Sequence, residues 1–161
     1  MKKELSFEIK ESPVLYSHDG QTFKSRDHKA IVSENGNLLS VMKSSYNPMY
    51  NEDFVKSVER MSEVSGFSLS GYNEFKGGRV VLGFLKNDFD SFNVGGHKID
   101  DYLVLGSSHD GTWPFFIGTS TMLIRCTNAF SQISKVEKVR HTKSAPKKKR
   151  RIVSSTASLL F

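Results

Sequence analysis

The chain has little sulfur chemistry and no long apolar run. Its 161 residues include a single cysteine, Cys126. One thiol cannot close an intrachain disulfide, so a reducing compartment is the expectation. Nowhere does an apolar stretch approach the roughly 18 residues of a membrane span, and the opening MKKELSFEIKE has no apolar core of a signal peptide. These absences predict a soluble cytoplasmic protein that makes no use of a membrane. The apolar fraction is also low, at 37%, although 12 phenylalanines supply large side chains for a core. A chain of this length suffices for one domain.

Complete chemical constellations are missing as well. Gly77-Gly78-Arg79 is glycine-rich but lacks the spacing of a phosphate-cradling loop, and a hairpin turn accounts for it. His109-Asp110 places an imidazole beside a carboxylate, as metal-dependent phosphohydrolases do, yet no further ligands are spaced to join them. The commoner role of such a pair is a turn in which Asp110 bonds its own backbone and Gly111 supplies the bend. Cys126 has no basic partner in sequence and reads as a small core residue. Neither a metal, a cofactor nor a catalytic residue is expected, and an enzyme acting through His109 and Asp110 ranks third among the functional readings.

Charge is unevenly placed. Of 23 Lys and Arg, nine lie between Lys135 and Arg151 against the single acid Glu137, leaving 14 bases and 16 acids elsewhere. The densest part is Lys147-Lys148-Lys149-Arg150-Arg151, with Lys143 just before it. Such a cluster attracts phosphate backbones with little sequence preference, or simply keeps a tail solvated. It also resembles a nuclear-import signal, though such runs occur in proteins that never meet a nucleus.

The apolar pattern predicts mostly strands at first. Alternation at Leu5–Ile9, then runs on either side of Asp19-Gly20 and of Asn35-Gly36, read as β-hairpins. A helix follows Pro48, with Asn51 as its N-cap, Phe54, Val58, Met61 and Ser65 on one face, and Gly66 as its C-cap. Residues 67–70, 79–85 and 102–106 read as strands, the last two buried on both faces, with a polar loop over 87–96. The turn at 108–111 and the run 113–118 form a further hairpin. Met122, Cys126, Ala129, Phe130 and Ile133 then match a buried helix face, while a strand reaching about Arg125 before any helix is the alternative. Arg125 and Asn128 flank that stripe as solvated residues or as holders of a phosphate. Trp113, Phe115, Phe116, Tyr72 and Phe75 are core residues or a stacking surface for bases.

The resulting fold class is α+β: an antiparallel sheet built from hairpins and backed by two helices. One domain spans 1–134, and 135–161 forms a basic C-terminal tail or a shortened helical region.

The segments LSVMKSSYNPMYN (39–51), KGGRVV (76–81), YLVLGSSHDG (102–111) and TMLIRCTNAF (121–130), with Arg140-His141-Thr142, resemble the phage/plasmid-like protein family. That family is a domain of unknown function, number nine-three-two in its series. The likeness covers most of residues 12–142, and family members tend to continue in helices where this chain turns basic, so it looks like a short member. It implies a mobile-element setting and no assured activity. The order of helix, antiparallel meander and helix is also similar to Rad52-type single-strand annealing proteins. Together these imply a non-enzymatic protein that binds or anneals single-stranded DNA through Lys143, Lys147, Lys148, Lys149, Arg150, Arg151, Arg125 and Asn128, as a homo-oligomer. The alternative partner is a host protein that the chain inhibits or modulates.

Overall fold

The computed structural model describes residues 3–94, 97–121, 124 and 126–139. Strands dominate, in two antiparallel sheets rather than the one expected. The first is a three-stranded sheet of β1 (Ile9–His18), β2 (Gln21–Ser33) and β3 (Leu38–Lys43). Asp19 and Gly20 both take positive φ, 51° and 75°, which is the two-residue turn that the Asp-Gly pair predicts. His18 accordingly pairs with Gln21 and Tyr16 with Phe23. Gly36, at φ 85°, closes the second hairpin.

The helix α1 (Asn51–Ser65) follows, burying Phe54, Val58, Met61 and Ser65 as their spacing requires. Gly66 ends it in the left-handed region at φ 72°, donating its N–H to the Ser62 carbonyl. Its start differs from the expectation. Tyr50 occupies the N-cap with no side-chain bond, and Asn51 is already helical. The cap comes instead from 43 residues away: Glu8 accepts the N–H groups of Asn51 at 2.9 Å and of Glu52 at 2.8 Å. A carboxylate there satisfies two orphan donors and meets the positive end of the helix dipole. Glu8→Ala is expected to cost about 1–2 kcal/mol in denaturant unfolding, with Glu8→Gln losing less.

The second sheet is a five-stranded meander of β4 (Ser68–Phe75), β5 (Val80–Val94), β6 (His97–Ser108), β7 (Phe115–Ser120) and β8 (Ser134–Val139). Residues 87–94, expected as a loop, continue β5; Ser91 to Val94 pair with Asp100 to His97. Ladder bonds are made by the backbone, so a polar run can extend a ribbon that no apolar pattern announces.

Alternation along the central strands sends side chains to two cores, as the near-continuous apolar runs predict. Val81, Leu85, Leu103, Leu105, Phe115 and Ile117 pack under α1 with Phe54, Val58 and Met61. Gly83 is what lets the helix come close, since a Cβ there would lie 2.7 Å from Val58. Val80, Leu82, Phe84, Val104 and Phe116 face the other way.

What covers that second face corrects the expectation of a second α-helix. After Ser120 the chain crosses through Ile124 into a short 3-10 helix, Thr127–Gln132, and then into β8. The apolar residues Phe130 and Ile133 are three apart, a spacing that one turn of 3-10 helix serves as well as an α-helix. Phe130 packs its ring 4.9 Å from Phe75 and 4.5 Å from Trp113. Cys126, expected in the core, is exposed. The likeness in element order to annealing proteins therefore loses its closing helix. Lys135 and Lys138, counted with the basic run, lie on β8.

Candidate functional site

Three places gather polar or aromatic groups, and the first is where the two sheets meet. The chain leaves β6 through Ser108, and the turn 108–111 is gripped from both sides. His109 donates its N–H to the Arg79 carbonyl at 2.8 Å, while its own carbonyl accepts the Ser40 hydroxyl at 2.7 Å. Tyr46 donates its hydroxyl to the Ser108 carbonyl at 3.2 Å. Burial, and then the nearby Asp110 carboxylate, push the Tyr46 phenol well above its usual range.

His109 itself is 0% exposed, with Phe7 edge-on at 6.1 Å between ring centroids. Both ring nitrogens lack a hydrogen-bond partner. Desolvation lowers its pKa to about 4, against a smaller opposing pull from Asp110, so the ring is neutral at pH 7. Asp110 turns the other way. Its Oδ1 accepts the Thr112 N–H at 3.0 Å and the Thr112 hydroxyl at 2.6 Å. Burial raises the Asp110 pKa, but bonds from Thr112 and Ser108 and the charge of Lys76 outweigh it and hold the carboxyl below its ordinary value. Thus His109 and Asp110 form no hydrogen-bonded dyad. The pair acts as the self-bonded turn that its residue types suggest, with an imidazole locked beneath it. Among the described residues, no three His, Cys, Asp or Glu side chains converge as a metal site.

The second place is the outer half of the β1–β2 hairpin. Beyond Pro13 it is a two-stranded ribbon projecting into solvent. Leu15 is 60% exposed, Tyr16 54% and Phe23 40%. Tyr16 and Phe23, directly opposite across the ladder, stack with centroids 5.6 Å apart and an interplanar angle of 25°. The exposed cations Lys24 and Arg26 follow, and the one acid at the tip, Asp19, pairs with His18 at 3.4 Å. The aromatic residues offered as stacking candidates from sequence behave otherwise: Tyr72, Phe75, Phe115 and Phe116 are core, and Trp113 packs edge-on against Phe116. The overlooked signal was the Tyr-x₆-Phe separation centred on Asp-Gly, which places both rings on one face of a ribbon.

An acidic cleft of about 410 Å³ is the third, between the N-terminal segment and the first turns of α1. Its walls carry Glu4, Glu8, Glu34, Glu52 and Glu59, with Lys56 as the single cation. Ser6 fixes the segment by donating its N–H at 2.6 Å and its hydroxyl at 2.8 Å to Glu74. Phe7 fixes it further, its ring occupying the space that a Cβ on Gly78 would need.

Several sequence candidates fall outside what the structure describes. Asn128 falls in the 3-10 helix, but its side chain lies outside the described residues, as do Arg125, Lys143 and Lys147 to Arg151 entirely. No helix among the described residues is long and apolar enough to cross a membrane.

No curated protein and no solved structure matches the chain. A family model does, over residues 38–158, from β3 through the basic run; β1 and β2, with the aromatic ribbon, precede it. The match covers well over half of the sequence and includes the four segments from 39 to 130 that carried the resemblance: the chain belongs to the family described as Domain of unknown function (DUF932).

Proposed function

We propose that this chain is a non-catalytic nucleic-acid-binding protein of a phage or plasmid, taking single strands, with single-stranded DNA favoured. The observation that carries the reading is the stacked, solvent-exposed Tyr16–Phe23 pair. Exposing two large rings costs the free protein burial that they would otherwise gain, so a ligand with planar faces repays the arrangement. Unpaired bases present such faces, whereas duplex bases are already stacked. Lys24 and Arg26 beside the rings, and Lys147 to Arg151 later in the chain, supply charge for the phosphates. Removing Tyr16 and Phe23 together is expected to weaken binding of a labelled oligothymidylate by tenfold or more, since each stacked base is worth about 1–3 kcal/mol. Because both rings are exposed, the unfolding midpoint should hold. Unchanged affinity in the Tyr16→Ala, Phe23→Ala double variant would remove the ribbon from the interface.

A second reading, docking on a host protein, is favoured by Leu38 and Val41 on β3, 56% and 49% exposed. Binding of oligonucleotides that survives Leu38→Ser and Val41→Ser would separate the two. Assembly into a homo-oligomer belongs to the single-strand reading and is measurable by light scattering.

A further inference from the structure

The back of the β1–β2 ribbon is apolar as well as its front. Leu15, 60% exposed, pairs with Lys24 one step along the ladder from Tyr16 and Phe23. Successive side chains of a strand alternate, so Leu15 and Lys24 lie on the face opposite the stacked rings. That face offers an exposed apolar side chain beside a cation.

A second exposed apolar patch lies at the C-terminal end of α1. Val64, Leu69 and Phe89 are 40%, 42% and 75% exposed. The Phe89 ring lies 3.3 Å from the point that a Cβ on Gly66 would take, two residues past Val64. Ser68, beside Leu69, donates its hydroxyl to the carboxylate of Asp88, beside Phe89. Leu69 pairs with Leu85, which packs under α1, so it shares the face that the helix covers. The charge around the patch is negative. Exposed Glu59, Glu63 and Asp88 outnumber Arg60, the last turn of α1 has no basic residue, and the helix end is itself the negative pole. Lys86, opposite Ser68 on the ladder, is taken by Asp100 at 2.9 Å.

The two surfaces are both apolar and opposite in charge, and they lie on different parts of one chain. Complementary patches so placed make a head-to-tail contact between copies. We propose that the patch of Val64, Leu69 and Phe89 receives the back of the β1–β2 ribbon, Leu15 and Lys24, from a second copy of this chain. Tyr16 and Phe23 face away from that contact and stay open to bases. Lys24 is withdrawn from the phosphates, and Arg26 remains for them. The contact supplies an interface for the assembly that the single-strand reading includes, but it needs no nucleic acid and does not depend on that reading. Each copy keeps one unused patch or ribbon, so the contact repeats and assembly passes beyond a dimer.

Sedimentation velocity of the full chain without nucleic acid tests this, so its outcome is independent of whether the chain binds one. So few residues make a weak contact, which calls for about 100 µM protein at about 50 mM salt. The natural chain should form species larger than a dimer, and shift toward monomer at about 0.5 M salt, where the charges are screened. The Leu15→Ser, Lys24→Glu variant and the Glu63→Lys, Phe89→Ser variant should each be monomeric. Mixed one to one, they should form a dimer and stop there, because one intact ribbon and one intact patch remain. That dimer also shows that both variants are folded. A natural chain that stays monomeric at low salt would overturn the proposal. So would a natural dimer that does not grow, either variant assembling as the natural chain does, or a mixture that stays monomeric.

Discussion

Acidification from pH 7 to pH 4 should remove about 3 kcal/mol of stability through His109 alone. The folded ring is neutral and titrates near pH 4, while an unfolded histidine titrates near 6.5. Between those values the unfolded chain binds a proton that the folded chain refuses, so stability falls as pH drops through that window. The contribution is whole above pH 6.5 and gone below pH 4. At about 1.36 kcal/mol per pH unit, the difference between the two titrations gives the figure above. Protonation would place a charge with no hydrogen-bond partner against Phe7, between the two sheets. Asp110 acts in a separate range. Its lowered pKa means its contribution is lost only as pH falls below the ordinary carboxylate value. His109→Leu, which removes the titration while keeping an apolar filler, should flatten the limb between pH 6.5 and 4. Urea unfolding followed by Trp113 fluorescence reads this directly. Parallel pH profiles for the natural chain and the variant would show that His109 titrates normally.

Neutralising Lys147 to Arg151 should cost the most in binding. Each phosphate contact on a single strand releases about 0.7 of a counterion, so five contacts give a salt slope near −3.5. Affinity then falls about 100-fold between 50 and 200 mM salt. A variant with all five replaced by Gln should lose more than that at 50 mM and show a much shallower slope, leaving the stacking contribution of Tyr16 and Phe23. A variant that kept the full slope would place the phosphate contacts elsewhere on the chain.

The hairpins, α1 and the two-faced strands were legible because their signals are local. Asp19-Gly20 must bend with positive φ, and Phe54, Val58 and Met61 can share a face only on a helix. Where long-range groups decide, sequence failed. Asn51 has the chemistry of an N-cap, but Glu8 arrives from the segment before β1 and does the capping, freeing Asn51 to hold Phe7. The second helix failed because an apolar stripe from Met122 to Ile133 is compatible with any path that returns Phe130 and Ile133 to the sheet. At the candidate site, the adjacency of His109 and Asp110 was visible, but not that the backbone would turn one inward and the other back onto Thr112. Exposure is similarly hidden. Tyr16 and Phe23 read as ordinary strand residues, and only their exposure, with no element among the described residues packed over the ribbon, makes them a surface.

The central claim is single-strand binding, and fluorescence anisotropy of the unaltered chain with labelled oligonucleotides tests it most directly. Titrations with single-stranded and duplex DNA of equal length, at 50 and 200 mM salt, should give tighter binding to the single strand. Affinity for both should weaken steeply as salt rises. No binding to either at 50 mM salt, or a preference for the duplex, would contradict the account.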